Sequence, residues 1–442
     1  MYKSFFIKTY GCQMNSYDSE KVNDLLLFNG FKKAEDLEKT DVAILNTCHI
    51  REKASEKLYS DLGRLSIFKK NKEKLGKKFS IVVMGCVAQA EGEEIISRNN
   101  SVDYVVGPQN IQVIPNLLKK KSFEKVHIDF LSEEKFNSLT LSKSNKTSSM
   151  ITVQEGCDKF CSFCVVPYTR GAEFSRPVED IYAETKDVVE KGSSEVTLLG
   201  QNVSSYQSSI FKDKERKVQL GDLCKIISKI PQLKRIRYLT SHPNDIDDNL
   251  INEHAKNEKL MPFLHLPIQS GSDRILKKMN RKHTKKQYID LIKKIKREVP
   301  KMAFSSDFIV GYPDETEEDF EKTVSLVNEV KFASSYSFVY SPRPGTPASV
   351  QKDIISEEVK KKRLKYLQEI LVKHQYDFNT LLLDKEVEVL ITNIGKRNNQ
   401  YVGRTPHLQP VHFYSSKNLM GQIIKIKIER LTSFSFHGKI LN

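Results

Sequence analysis

From residue 4 to residue 340 the sequence alternates short apolar runs with longer stretches of helical spacing, and this alternation restricts the chain to parallel α/β architecture. A helix between two strands carries the chain back across the sheet, so the strands it joins pair in parallel. In the first stretch, residues 4–9, 42–45, 81–84 and 102–106 read as strands, with helical spacing over 19–29 and 52–68. This predicts a doubly wound parallel sheet. In the second, strands are expected at 151–154, 196–199, 236–240, 263–267, 304–310 and 336–340, with helices at 177–190, 220–230, 275–299 and 317–330. Six repeats predict a partial (β/α)6 barrel.

A charged helix over 357–376 precedes a tail of different character. Short runs at 386–391, 400–404, 411–414, 422–428 and 434–440, separated by turn residues, predict a small antiparallel β-barrel. Residues 132–149 shift to Ser, Lys, Asn and Thr and read as a linker, and 207–219 reads as a polar surface loop. The expected division is therefore 1–131, the linker 132–149, 150–376 and 377–442.

Seven cysteines are distributed over this frame in a pattern. Cys157, Cys161 and Cys164 lie within eight residues, directly after an expected barrel strand, where such barrels carry their reactive groups. Three thiolates can hold a cubane iron–sulfur cluster and leave one iron open for S-adenosylmethionine. Structural zinc takes four ligands, and the closest upstream histidine, His127, is thirty residues away. Cys12, Cys48 and Cys86 each follow an apolar strand of the first sheet. Parallel strands end along one edge, so these three can converge on a second cluster; three buried small residues are the alternative. Cys224 lies in an apolar helical pattern and reads as core.

Lys and Arg number 71 against 56 Asp and Glu, a net charge of +15 that favours a polyanionic partner. No apolar run approaches the roughly 18 residues needed to span a bilayer. The first residues, broken by Lys3 and Lys8, lack a signal-peptide cleavage pattern. We therefore expect a cytoplasmic protein without a membrane partner, in a reducing compartment where cysteines serve metals or catalysis.

The motifs TYGCQMN (9–15), NTCHIREKA (46–54), GCVAQ (85–89), CDKFCSFCVVPYTRG (157–171), LLGQNV (198–203), HLPIQSGSD (265–273), MNRKHT (279–284), DFIVGYPDET (307–316) and YSPRPGTPA (340–348) resemble the methylthiotransferase family of radical S-adenosylmethionine enzymes over almost the whole chain. GCQMN and IREKA resemble the branch that acts on tRNA isopentenyladenosine. His49, Ala172 and Asp314 depart from that branch, which commonly has Ser, a basic residue and Gly there.

The resemblance implies two [4Fe-4S] clusters and S-adenosylmethionine. A radical made at Cys157, Cys161 and Cys164 removes hydrogen from carbon 2 of N6-isopentenyladenosine at position 37 of tRNA, and the cluster of Cys12, Cys48 and Cys86 holds or supplies the sulfur that joins it. It also implies a C-terminal RNA-binding barrel of the TRAM type, the tRNA anticodon stem-loop as partner, and a flavodoxin- or ferredoxin-like electron donor. Gly200, Gln201, Asn202, Gln269, Ser270 and Asp307, at strand ends, are candidates for S-adenosylmethionine or for ordinary turns. Arg170, Arg176, Arg343 and Arg404 are candidates for phosphate contacts, as are Lys425 and Lys427, which alternate with isoleucines. Competing readings are a methylthiotransferase of threonylcarbamoyladenosine tRNA or of a ribosomal protein, and a zinc-dependent RNA-binding protein without catalysis.

Overall fold

A computed structural model describes residues 2–49, 52–120, 123–131, 136, 146–210 and 213–441. They form two compact units: Met1–Lys143 with Gln154–Phe160 and Cys164–Arg176, and Ser144–Val153 with Cys161–Phe163 and Pro177–Asn442. Most of the expected linker, 132–135 and 137–145, lies outside the described residues. Among those described, no helix is long and apolar enough to cross a membrane.

The first unit carries a six-stranded parallel sheet. Its order is Lys32–Lys33, Ser4–Thr9, Val42–Thr47, Ser80–Gly85, Tyr104–Val106, Val126–His127. The central strands Val42–Thr47 and Ser80–Gly85 are buried at every position, as strands covered on both faces must be. Alternate side chains go to opposite faces. Ile44, Val82 and Met84 pack with Phe5, Val22 and Leu26, whereas Ala43, Leu45, Ile81 and Val83 pack with Leu58 and Leu62. Helix Gln13–Phe28 starts well before the expected residue 19; its mostly polar first turn gave the sequence no apolar period from which to read the start.

In the second unit, Ser148–Thr152, Glu195–Leu199 and Arg235–Tyr238 form one parallel sheet, and Phe263–His265, Ala303–Val310 and Ser334–Val339 another. A parallel bridge between Ile236 and Leu260 joins them into a partial barrel of six strands in sequence order. Val196, Leu198, Ile236, Leu264, Phe304 and Phe308 pack outward against helices. By alternation Glu195, Arg237, His265 and Asp307 face the lumen.

Two expectations fail here. The helix expected over 275–299 is two, Asp273–Lys278 and Lys285–Glu298; Asn280 takes a φ of 57°, and Thr284 starts the second through a capping box with Gln287. The polar loop expected at 207–219 is an antiparallel hairpin of Gln207–Ile210 and Asp213–Gln219, with 211–212 outside the described residues. Its polar composition hid strands that carry no sustained apolar alternation.

Glu386–Ile394, Gln400–Arg404, Pro410–Tyr414, Phe436–Ile440 and Ile423–Leu431, in that spatial order, close a five-stranded barrel around Val389, Ile391, Phe413, Ile426 and Phe436. One seam, Pro410–Tyr414 with Phe436–Ile440, is parallel. Two buried arginines of the strand Arg235–Tyr238 tie this barrel to the larger one. Arg235 donates to the carbonyls of Arg404 at 2.8 Å and Glu388 at 3.1 Å. Arg237 donates to those of Pro406 at 2.7 Å and Thr405 at 2.9 Å, and pairs with Glu195 at 2.7 Å.

Substituting Arg237→Met strands Glu195 in the interior without its cation. We expect this to cost about 3–5 kcal/mol of stability, read as a lower urea midpoint, with faster proteolysis in the turn 381–385 that precedes the small barrel. An unchanged midpoint would show that the arginine seat does not hold the two barrels together.

Candidate metal centre

Strand register places three cysteines at one edge of the first sheet. Thr9 lies beside Asn46, and Thr47 beside Gly85, so Cys48 and Cys86 leave neighbouring strands at the same level. Cys12 caps the start of helix Gln13–Phe28. Gly11, at a φ of 119°, lies so close to Cys48 that an added Cβ would stand 2.2 Å from the Cys48 Cβ and 3.2 Å from its sulfur. Gly85, at a φ of 96°, is equally confined against Asn46 and Thr47.

A buried polar network fixes these strand ends. Asn15 donates to Asn46 Oδ1 at 2.9 Å and to the Thr47 carbonyl at 3.1 Å, while the Cys12 thiol donates to Asn15 Oδ1 at 3.1 Å. Asn46 donates in turn to the Asn15 carbonyl at 2.7 Å and to Ser19 Oγ at 2.9 Å. Hydrogen bonding from Cys48, then the Arg170 charge and the amides of Asn15 and Met14, outweigh burial and bring the Cys12 thiol down to about 6. Burial pushes the Cys86 thiol up, against the pull of Arg170.

The donor set fits a thiolate-ligated cluster. Cys48 and Cys86 are buried and Cys12 is half-buried, and Arg170 Nε donates to the Cys86 sulfur at 3.4 Å. Among the described residues, no three His, Cys, Asp or Glu side chains are gathered to hold a single metal ion. Tetrahedral zinc with bonds of about 2.3 Å would bring its thiolates within about 4 Å of one another.

The loop that carries the other trio is shaped by its backbone. Gly156 has a φ of 79° and lies under the Ala172 carbonyl, where a Cβ would come within 1.9 Å of the oxygen. Cys157 N–H donates to the Gly171 carbonyl at 3.3 Å, and Phe160 takes a left-handed φ of 47°. Cys157 and Cys164 are half-buried and Cys161 is buried. Arg281 Nη1 donates to the Cys161 sulfur at 3.6 Å. Ser162 is held by its Oγ donating to the Lys278 carbonyl at 2.8 Å and by Tyr312 Oη at 2.9 Å. Cys224 is fully buried in the barrel core.

Several sequence candidates are corrected. Arg170, expected on phosphate, is 2% exposed. It pairs with Asp18 at 2.7 Å and Glu155 at 2.5 Å and donates to the Cys86 sulfur at 3.4 Å. Arg176 is buried and stacks 4.9 Å over the Phe136 ring. Arg404 is half-buried and donates to the Leu408 carbonyl at 3.1 Å, while its own carbonyl accepts from Arg235 at 2.8 Å. Local sequence could not distinguish Arg170 and Arg176 from surface arginines, because Asp18 and Phe136 are distant from them in the chain.

Two cofactor candidates are hydrogen-bonded within the fold. Ser270 is fully buried, with its hydroxyl shared between Thr323 Oγ1 and the Ser272 amide. Asn202 is buried and donates to Asp245 at 2.7 Å while accepting from Ser204. Both hold strand-end turns. The Gly200 carbonyl accepts from Thr240 Oγ1, and Gln201 is half-buried. Gln269, at a φ of 78°, bridges to Phe308 through its backbone. Asp307 is half-buried beside His265, 3.4 Å from its Nε2.

Arg343 is half-exposed. Lys425 and Lys427 are exposed, with Ile426 and Ile428 buried between and beside them, but Glu388 and Glu386 lie directly opposite on the neighbouring strand. Asp314 adopts a φ of 68° where glycine is common, and its carboxylate pairs with Arg274 at 2.9 Å and with Lys278. Sequence reading missed Asn15, Asp18, Asn46, Glu155, His265 and Arg281. Asn15 and Asn46 lie inside the cysteine motifs, and that adjacency was the available signal.

Three family models match the chain: Uncharacterized protein family UPF0004 over residues 4–107, the Radical SAM superfamily over 151–327 and the TRAM domain over 383–441. The tRNA-2-methylthio-N(6)-dimethylallyladenosine synthase of Orientia tsutsugamushi (strain Boryong) is 50% identical, covering 100% of this chain and 99% of that protein. The protein of that name from Rickettsia rickettsii (strain Sheila Smith) is 50% identical over 100% of both. Among solved structures, the radical S-adenosylmethionine methyltransferase TsrM from Kitasatospora setae matches with a TM-score of 0.55 at 12% identity, over 79% of this chain and 77% of that one. The cobalamin-dependent S-adenosylmethionine radical enzyme OxsB matches with a TM-score of 0.53 at 12% identity, over 84% and 56%. At such identity these two structures speak for the fold alone.

The cradle at Gly11 yields a mutational test. Gly11→Ala drives a methyl group into Cys48 at a φ that side chains avoid. We expect the variant, reconstituted with iron and sulfide under anaerobic conditions, to lose about half the iron of the parent while remaining folded by circular dichroism. Full iron content would show that the edge at Cys12, Cys48 and Cys86 holds none.

Proposed function

Because this chain belongs to the tRNA-2-methylthio-N(6)-dimethylallyladenosine synthase family, we propose that it converts N6-isopentenyladenosine at position 37 of tRNA to its 2-methylthio derivative. The observation that carries this reading is 50% identity over the whole chain to proteins of that name. The chain is a radical S-adenosylmethionine enzyme, a class that uses a [4Fe-4S] cluster and S-adenosylmethionine.

In this reading Cys157, Cys161 and Cys164 hold that cluster, and Cys12, Cys48 and Cys86 hold a second. Bound there, the first would supply the electron for cleavage of S-adenosylmethionine, and the second would hold or supply the sulfur for carbon 2 of the base. The protein's own work is to position and to exclude water. Arg281 donates to Cys161, which supports the orientation of that thiolate. Gly200, Gln201, Asn202, Gln269, Ser270 and Asp307, at strand ends, are the positions proposed to hold S-adenosylmethionine. Asp307 and His265 offer it paired polar groups.

The anticodon stem-loop is the proposed partner, with the basic chain supplying the electrostatic attraction and Arg343, Lys425 and Lys427 as proposed phosphate contacts. The electron donor is a flavodoxin- or ferredoxin-like protein, and the setting is the cytoplasm.

Nucleoside mass spectrometry of tRNA from cells lacking this chain tests the substrate. The expected result is loss of 2-methylthio-N6-isopentenyladenosine and accumulation of the unmethylthiolated nucleoside. Unchanged levels, with loss instead from threonylcarbamoyladenosine or a ribosomal protein, would overturn the assignment. After anaerobic reconstitution the chain should hold about eight irons, two cubanes of four, and Cys157→Ala with Cys161→Ala and Cys164→Ala should hold about four. A colourless protein that binds zinc alone would overturn the enzymatic reading.

A further inference from the structure

The side chain of Arg170 divides its donors among three buried groups. Nε faces the Cys86 sulfur at 3.4 Å, Nη1 the Glu155 carboxylate at 2.5 Å and Nη2 that of Asp18 at 2.7 Å. Both carboxylates are fully buried. The residue ends the short helix Val166–Arg170, six positions beyond Cys164 in the chain. Its own carbonyl is held by Gln109 Nε2 at 2.6 Å. The guanidinium is therefore fixed at both ends, and its planar fork serves three partners at once, which the point charge of a lysine cannot do.

We infer that Arg170 is a positioning residue for the cluster of Cys12, Cys48 and Cys86, and that its charge-assisted hydrogen bond to the Cys86 sulfur stabilises that cluster's reduced form. The inference rests on assigning those three cysteines to a cluster. Hydrogen bonds and positive charge at a ligating sulfur favour the added electron, so they raise the reduction potential. Asp18 and Glu155 act in the opposite sense, and they set how far the cation is offset. The loop that supplies Cys164 thereby also contributes, through one side chain, to the electronic setting of the other trio.

The test is an EPR-monitored, dithionite-driven one-electron titration of the full chain carrying Cys157→Ala, Cys161→Ala and Cys164→Ala, so that only one cluster remains. In that background Arg170→Lys keeps the charge but loses the fork. It should lower the ratio of reduced to oxidised cluster at a fixed potential at least tenfold, about 59 mV for one electron. Asp18→Asn with Glu155→Gln keeps Arg170 and removes the opposing charges, and should shift the ratio the other way. A purely structural clamp would move neither ratio. Ratios equal to the parent's in both variants, or loss of the cluster from both, overturn the inference. A parent background with no iron and no EPR signal instead overturns the cluster assignment beneath it.

Discussion

Parallel pairing makes successive strands end on one edge of a sheet, and the chemistry of this chain depends on that constraint. Thr47 and Gly85 are register partners, so the residues that follow them, Cys48 and Cys86, leave adjacent strands together. Cys12 joins them from the next strand over, after a glycine that has no room for a side chain. The sheet is held by apolar residues on both faces, and its edge is held by Asn15 and Asn46, each fully buried and hydrogen-bonded. Orphaning either amide would leave a desolvated polar group beneath the cysteines. The same network that closes the strand ends therefore also sets where the sulfurs lie.

Buried arginines recur wherever segments distant in sequence must be joined. Arg170 binds Asp18 and Glu155, which lie 152 and 15 residues away in the chain. Arg235 and Arg237 reach backbone carbonyls more than 150 residues further on. A guanidinium suits this role because it stays charged under strong desolvation and offers five donors in a rigid plane. Burial lowers Arg235 to about 10, and the neighbouring Arg237 adds to that, yet Arg235 remains a cation at neutral pH. The pairs specify one arrangement more than they add stability, because desolvation consumes much of the Coulomb attraction.

The sequence by itself determined the class of architecture and where the cysteines fall along it. Alternating apolar runs fix parallel β/α folding, since a strand buried on both faces has to be apolar throughout, as Val42–Thr47 and Ser80–Gly85 are. Cysteines placed directly after such strands could be located on one edge without coordinates. Elements whose stability does not come from an apolar period were illegible: the polar hairpin at Gln207–Ile210 and Asp213–Gln219, the first turn of helix Gln13–Phe28, and the helix break at Asn280. Tertiary structure alone decided the fate of individual polar side chains. Arg170 and Arg176 look like surface cations in sequence and are buried, Ser270 and Asn202 look like ligand contacts and close turns, and Lys425 and Lys427 meet glutamates across the strand. Apolar periodicity is a local property that a sequence displays directly. The partner of a charge or an amide is set by segments far apart in the chain, and only the folded structure brings them together.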